Sequence, residues 1–288
     1  MNNQNQIAPV YDDEIDLKEL FSVLWAGKKL IIAITGVFAV ISVIYALSVP
    51  NQYKASALLA PAQQQSGGLS GALGDLGGLA ALAGVNIGGG DAGEAQIAQE
   101  IMRSWGFIAQ FVTENNIAVE VFAADGWDSK NNQLSIDGDL YDTEAKRWVR
   151  NPPAGKTVNP TSWELYEEFI EDISISADKK TGLITLSVEY FSPYLAKQWV
   201  DQLIVAINQH MQQRKLQMVN SNIEYLEAQI VKTPIAEMKE VFYTIIEEQI
   251  KGKMLAEASP EYVFVTVSPA MVPEEKSQPK RALICILG

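Results

Sequence analysis

Residues 192–234, SPYLAKQWVDQLIVAINQHMQQRKLQMVNSNIEYLEAQIVKTP, decide how the rest of the chain must be arranged. Ser192 can cap a helix and Pro193 suits its first turn; Leu195, Trp199, Leu203, Ile207 and Met211 then recur at every fourth position. From Leu216 the steps alternate between three and four through Val219, Ile223, Leu226 and Ile230. That is the period of a coiled-coil seam. Up to Val231 the pattern predicts a helix of roughly 60 Å. Thr233 and Pro234 can cap and begin a second helix, which carries the seam through Ile235, Met238, Phe242 and Ile245 and ends near Ala258, before a strand at 262–267.

The two apolar ends of the chain choose between one continuous helix and a hairpin. Residues 30–49 (LIIAITGVFAVISVIYALSV) hold no charged side chain, and as a helix they would cover about 30 Å, the thickness of a bilayer's hydrocarbon core. Trp25, Lys28 and Lys29 flank this stretch on one side and Pro50, Asn51 and Gln52 on the other, so it reads as a membrane helix. The long lead ahead of it argues against a cleaved signal peptide. At the other end Lys280 and Arg281 precede Ala-Leu-Ile-Cys-Ile-Leu-Gly, which reads as the start of a second membrane helix cut short, the alternative being a short apolar tail that packs elsewhere. An unbroken helix over 193–258 would separate its ends by about 100 Å. The dozen or so residues between the following strand and the second membrane segment reach only about 40 Å. The expectation is a helical hairpin that turns near Pro234.

About 230 residues lie between these ends, enough for one large or two small cores. Residues 50–279 hold 17 Lys+Arg against 30 Asp+Glu, a net of −13. Such a surface is a poor match for nucleic acid or anionic lipid. The one cysteine, Cys285, lies in the terminal apolar run, which excludes a disulfide framework and a thiolate zinc site. Lys18, Lys28 and Lys29 precede the first membrane segment and only Lys54 follows closely, which places the N-terminus in the cytoplasm.

Residues 1–13 read as disordered, and Asp16 with Glu19 starts a short amphipathic helix with Leu17, Leu20, Phe21 and Leu24 on one face, which lies along the cytoplasmic membrane surface or is a solvated lead-in to the membrane helix. Residues 53–59 (YKASALL) read as a strand close to the membrane. Residues 67–90 hold ten of the chain's twenty glycines, with leucines at 69, 73, 76, 79 and 82. That segment reads either as a flexible apolar loop facing a lumen, a partner or the membrane, or as plain disorder. Residues 94–115 predict one helix of about six turns from Ile97, Ile101, Trp105, Ile108 and Val112, and 117–160 read as short strands and turns. Residues 163–172 predict a helix with Glu164, Glu167, Glu168 and Glu171 on a solvated face, and 173–176 with 183–190 a hairpin around Asp178–Gly182.

No catalytic constellation emerges. Gly155-Lys156-Thr157 mimics the end of a phosphate loop, but Arg150 stands where its first glycine belongs and prolines at 152, 153 and 160 replace the strand-to-helix context. His210 is the only histidine and has no partner ligand in sequence. The glutamate row could supply a glycosidase pair, but such a row more often faces solvent. Trp105, Trp127, Trp148 and Trp163 fit packing better than sugar stacking.

The lead DDEIDLKELFSVLWAGKK, the first membrane segment, NQYKASALL, the helical arm and the proline-rich PAMVPEEKSQPKRAL together resemble the polysaccharide co-polymerase family, the Wzz-type chain-length determinants. The resemblance implies a membrane-anchored α+β protein: a cytoplasmic segment (1–29), transmembrane helix 1 (30–49), a periplasmic α/β base (50–192), a helical arm (193–258), a returning strand with a Pro-rich segment (259–279) and the start of transmembrane helix 2 (280–288). It implies a bacterial inner-membrane location with both termini cytoplasmic and the main domain periplasmic. It also implies a closed homo-oligomeric ring that partners an O-antigen polymerase and lipid-linked polysaccharide, sets the modal length of lipopolysaccharide O-antigen, and needs no catalytic residue, metal or cofactor. The seam residues Leu216 to Ile245 would serve arm or oligomer contacts; Pro269, Pro273 and Pro279 would form the membrane-proximal segment; Leu69, Leu73, Leu76 and Leu79 would line a lumen or meet a partner. Rival readings are the membrane portion of a capsule tyrosine kinase, a membrane-anchored carbohydrate-binding or hydrolytic domain, and an export adaptor.

Overall fold

The computed structural model describes residues 25, 27–62 and 91–287. The chain divides into two units, Met1–Val49 with Pro279–Gly288, and Pro50–Gln278. The predicted amphipathic helix at Leu17–Leu24 and the glycine-rich segment with Leu69, Leu73, Leu76 and Leu79 lie outside the described residues.

Helix α1 (Lys28–Ser48) spans the apolar stretch almost as the sequence predicts. The side chains of Leu30 and Ile31 lie outside the description, and among the described residues no helix is long and apolar enough to cross a membrane.

The larger unit begins with β1 (Tyr53–Pro61) and continues with α2 (Asp91–Met102) and α3 (Trp105–Glu114). These two helices replace the single helix expected over 94–115. Ser104 adopts extended backbone angles and its hydroxyl accepts from the Phe107 N–H at 3.4 Å, so a local N-cap outcompetes helix continuation. The short helix α4 (Ala118–Ala123), absent from the sequence reading, follows Asn116, whose φ is 53°. Next come two small hairpins, β2 (Ala124–Asp128) with β3 (Gln133–Ile136) and β4 (Tyr141–Asp142) with β5 (Arg147–Trp148).

Helix α5 (Ser162–Asp172) opens with a reciprocal capping box between Thr161 and Glu164. It runs into β6 (Ile173–Ala177), which turns to β7 (Ile184–Tyr190). In that turn Asp178 accepts from the Lys180 N–H at 2.7 Å and Gly182 takes a φ of 71°, the left-handed region that only glycine enters freely. Helix α6 (Pro193–Lys232) and α7 (Ala236–Ala258) are joined by a three-residue link. Thr233 closes α6 and Ile235 is the N-cap of α7, so the second helix starts two residues later than Pro234 suggests.

Strand β8 (Phe264–Ser268) completes an antiparallel sheet of order β6-β7-β1-β8. Alternation puts Ala55, Ala57 and Leu59 of β1 into the core, with Leu186 and Val188 of β7 and Phe264 of β8. The first half of α6 covers them with Trp199, Leu203 and Ile207, none more than 1% exposed. Phe169 of α5 stacks on Phe111 of α3 at 5.7 Å and meets Trp199 edge-on at 5.2 Å, which locks α3 and α5 beside α6. Burying a side chain of this size is worth about 2 kcal/mol or more. On the opposite face Ser56 and Ser187 share a hydrogen bond of 2.9 Å, and Lys54 stands in register with Glu189.

β1 and β8, the first and last strands of this unit, are neighbours. Beyond them Gln52 N–H donates to the Gln278 carbonyl at 3.1 Å, and Ser277 N–H donates back to the Gln52 carbonyl at 2.8 Å. The unit's two ends are therefore clasped side by side. Within the smaller unit, α8 (Arg281–Leu287) packs on α1: Ser42 Oγ donates to the Ile284 carbonyl and Arg281 Nε to the Ala46 carbonyl, each at 2.9 Å.

Candidate functional site

The helical arm is a hairpin. Gln212 Nε2 donates to the Ala256 carbonyl at 2.7 Å and to the Ser259 carbonyl at 3.2 Å, which fixes the antiparallel register of α6 and α7 near the base. The free part of α6, from Gln212 to Lys232, rises about 30 Å. Along it the buried and half-buried apolar positions are Leu216, Val219, Ile223, Leu226 and Ile230, the α6 half of the predicted seam. On α7 the covered apolar positions are Phe242, Ile246 and Ala256. Ile235, Met238 and Ile245, which the seam reading placed with Phe242, are exposed. The apolar pattern of α7 is two stripes wide, and spacing alone does not say which stripe meets α6.

Other apolar side chains of the arm stay exposed. Val241, Ile250, Met254 and Leu255 of α7 are exposed, as are Met218 and Tyr225 of α6 and Val231 at the tip. Of the proline-rich segment, Pro269 is exposed, Pro273 half-buried and Pro279 buried.

In the base, Glu164 is not on a solvated face. It is buried in a fork with Arg150, whose NH1 and NH2 reach its two oxygens at 2.9 Å each. Arg150 spends its other donors on the Val158 and Thr157 carbonyls at 2.8 Å, and Lys156 Nζ approaches Glu164 at 3.1 Å. Hydrogen bonding from Arg150 outweighs the burial cost and holds the Glu164 carboxyl far below the usual carboxylate range. The phosphate-loop mimic Gly155-Lys156-Thr157 is thus the loop that this ion pair ties down. Periodicity could not show this, because the partner that removes Glu164 from solvent lies 14 residues upstream.

A second carboxylate group sits where α5 meets the sheet. Asp172 is pushed up to about 8 by burial first and then by Glu168, Glu189 and Glu171. Tyr190 beside it is raised by burial, Asp172 and Glu120, and its hydroxyl donates to the Glu120 carbonyl at 2.5 Å. Glu189 accepts from Ser277 Oγ at 2.6 Å, which links this group to the clasp at the unit's ends.

The other candidates are packing residues. His210 meets the Phe107 ring edge-on at 5.8 Å, and among the described residues no group of His, Cys, Asp and Glu could hold a metal. Trp127 packs against Tyr53 and Tyr194, Trp148 against Phe122 and Tyr141, and the half-exposed Trp163 against Tyr166. Trp105 is also half-exposed. Asn208, which sequence reading passed over, is 2% exposed and holds β8 in place: its Oδ1 accepts from the Val263 and Phe264 N–H groups at 2.8 and 2.9 Å, and its Nδ2 donates to the Phe264 carbonyl at 3.0 Å.

Comparison with known proteins adds a family-level similarity over part of the chain. Residues 13–114 match the family model of the Wzz chain length determinant protein. Over this stretch the chain is similar to the Wzz family. The matched stretch ends with the last residue of α3, so it takes in α1, β1, α2 and α3. The chain is also similar to a full-length bacterial polysaccharide co-polymerase, at 13% identity over 94% of this chain and 92% of that one, with a TM-score of 0.34. A fragment of the Salmonella Typhimurium co-polymerase WzzB matches at 11% identity over 79% of this chain and all of that one (TM-score 0.29). A mutant of the Shigella flexneri O-antigen chain-length regulator matches at 8% identity over 78% and 100% (TM-score 0.21). No curated protein matches the chain.

Proposed function

We propose that this protein is a non-catalytic, membrane-anchored scaffold that sets the length of a bacterial surface polysaccharide, with lipopolysaccharide O-antigen as the leading product. The single observation that carries this reading is the Wzz match over residues 13–114. The geometry supports it in two ways. The apolar stretch 30–49 and the run at 282–287 fit membrane anchoring at both ends of a base domain whose first and last residues are clasped together by Gln52, Ser277 and Gln278. The apolar outer surface of the arm then fits association of several copies into a ring, because one patch meeting a different patch repeats until the rotation closes.

In this reading the base domain is periplasmic, both termini are cytoplasmic, and the partners are a membrane polymerase and its lipid-linked chain. The Pro-rich segment with Pro269, Pro273 and Pro279 positions the second anchor, and the leucines at 69, 73, 76 and 79 face the lumen or a partner. The test is the native mass of the detergent-extracted full-length protein. A closed oligomer of one copy number is expected; a clean monomer would remove the basis for scaffolding.

A further inference from the structure

A groove of about 590 Å³ runs along α6 where the base meets the arm. Its floor and one rim are six residues of one helical face: Asp201, Ile204, Val205, Asn208, Gln209 and Gln212. From first to last they rise about 17 Å. The opposite wall is the end of α7 and the outer edge of β8, with Glu257, Glu261 and Thr266.

Three features define what fits. First, the lining has no Lys or Arg and three carboxylates, which disfavours phosphate, nucleotide or any polyanion. Second, its polar atoms are mostly acceptors. Gln212 spends its Nε2 on Ala256 and Ser259, leaving Oε1 available, and Asp201 engages Lys197 through Oδ2, leaving Oδ1. Hydroxyl donors satisfy such a surface. Third, a peptide strand is blocked: the outward N–H of Thr266 is already taken by Glu261 Oε1 at 3.0 Å, and Pro260 and Pro269 flank the edge without N–H groups. Apolar Ile204, Val205, Pro260 and Pro269 offer surface for the C–H faces of sugar rings, while Asn208, committed to three backbone bonds, keeps the floor rigid.

We propose that this groove binds a short run of a neutral or amino-substituted polysaccharide chain. The inference rests on the chain-length reading above and names its point of contact. The test uses the full-length protein in cells that make the polysaccharide, with photo-reactive benzoylphenylalanine at position 205 or 209 and, as control, at the exposed arm position 225. Illumination should yield a ladder of glycan-stained adducts at 205 and 209, at least tenfold above 225. In parallel, Val205→Trp and Gln209→Trp fill the groove at exposed positions that the core does not need; they should shift or erase the modal length while protein level and oligomer mass stay unchanged.

Adducts to protein only, or none, with an unaltered mode in both Trp variants, would overturn the groove assignment. If deleting the whole gene still removes the mode, that failure belongs to the groove alone. If deletion leaves the length distribution unchanged, the chain-length reading falls and the groove proposal with it.

Discussion

Replacing Asn208 by Ala should destabilise the base far more than the loss of one surface-polar group. The side chain is 2% exposed and makes three hydrogen bonds, all to the backbone at Val263 and Phe264. Truncation leaves two N–H groups and one carbonyl without this partner in a site that water does not easily reach. At about 1 kcal/mol for each lost bond, and more where a buried group stays unsatisfied, the cost is about 3–5 kcal/mol. For a unit of this size that lowers the unfolding temperature by roughly 6–20 °C. The assay is thermal unfolding of the full-length protein in detergent, followed by circular dichroism and paired with hydrogen exchange at residues 262–268. Exchange there should accelerate in the variant before the rest of the sheet opens. A loss below about 1 kcal/mol, or unchanged protection of β8, would refute the reasoning that Asn208 holds this strand against α6.

Three further outcomes follow from the same geometry. The Glu164 carboxyl has a depressed folded pKa, so its contribution is present above the ordinary value of 4.5 and is lost as pH falls below it; unfolding temperatures measured from pH 7 to 3 should fall more steeply for the native protein than for Glu164→Gln. Asp172 behaves in the opposite sense. Raised from 3.8 to about 8, it makes the native state the better proton binder between those values, so stability drops as pH rises through that window. Asp172→Asn should therefore unfold at a higher temperature than the native protein at pH 9, with a clearly smaller difference at pH 5. Finally, Ile223→Glu combined with Leu226→Glu places two charges on the covered side of the arm; hydrogen exchange should rise across α7 while β1 and β7 stay protected, and an unchanged α7 would mean that these residues do not hold the hairpin.

Much of this fold was readable from the chain, for identifiable reasons. The cap Ser192, the Pro193 that follows it and the long apolar period gave α6 to within a residue, and the break at Thr233–Pro234 with the short return path gave the hairpin. Asp178 and Gly182 gave the β6–β7 turn because that turn uses local side-chain bonding and a positive φ. What periodicity missed are side-chain bonds that an apolar repeat does not encode, one of them local and the others between residues distant in sequence. Ser104 splits a regular apolar repeat by a local cap, Arg150 draws Glu164 out of an apparent solvated face, and Asn208 looks like one more polar residue on a helix. The inward stripe of α7 was also illegible, since Met238 and Ile245 are as apolar as Phe242 and Ile246, and only packing selects between them.

The measurement that bears most directly on the account is the length distribution of the surface polysaccharide, resolved on a gel from cells with the gene deleted and with the full-length chain restored. Deletion should replace a defined modal length with an unregulated spread, and restoration should bring the mode back. A distribution identical with and without the protein would contradict it.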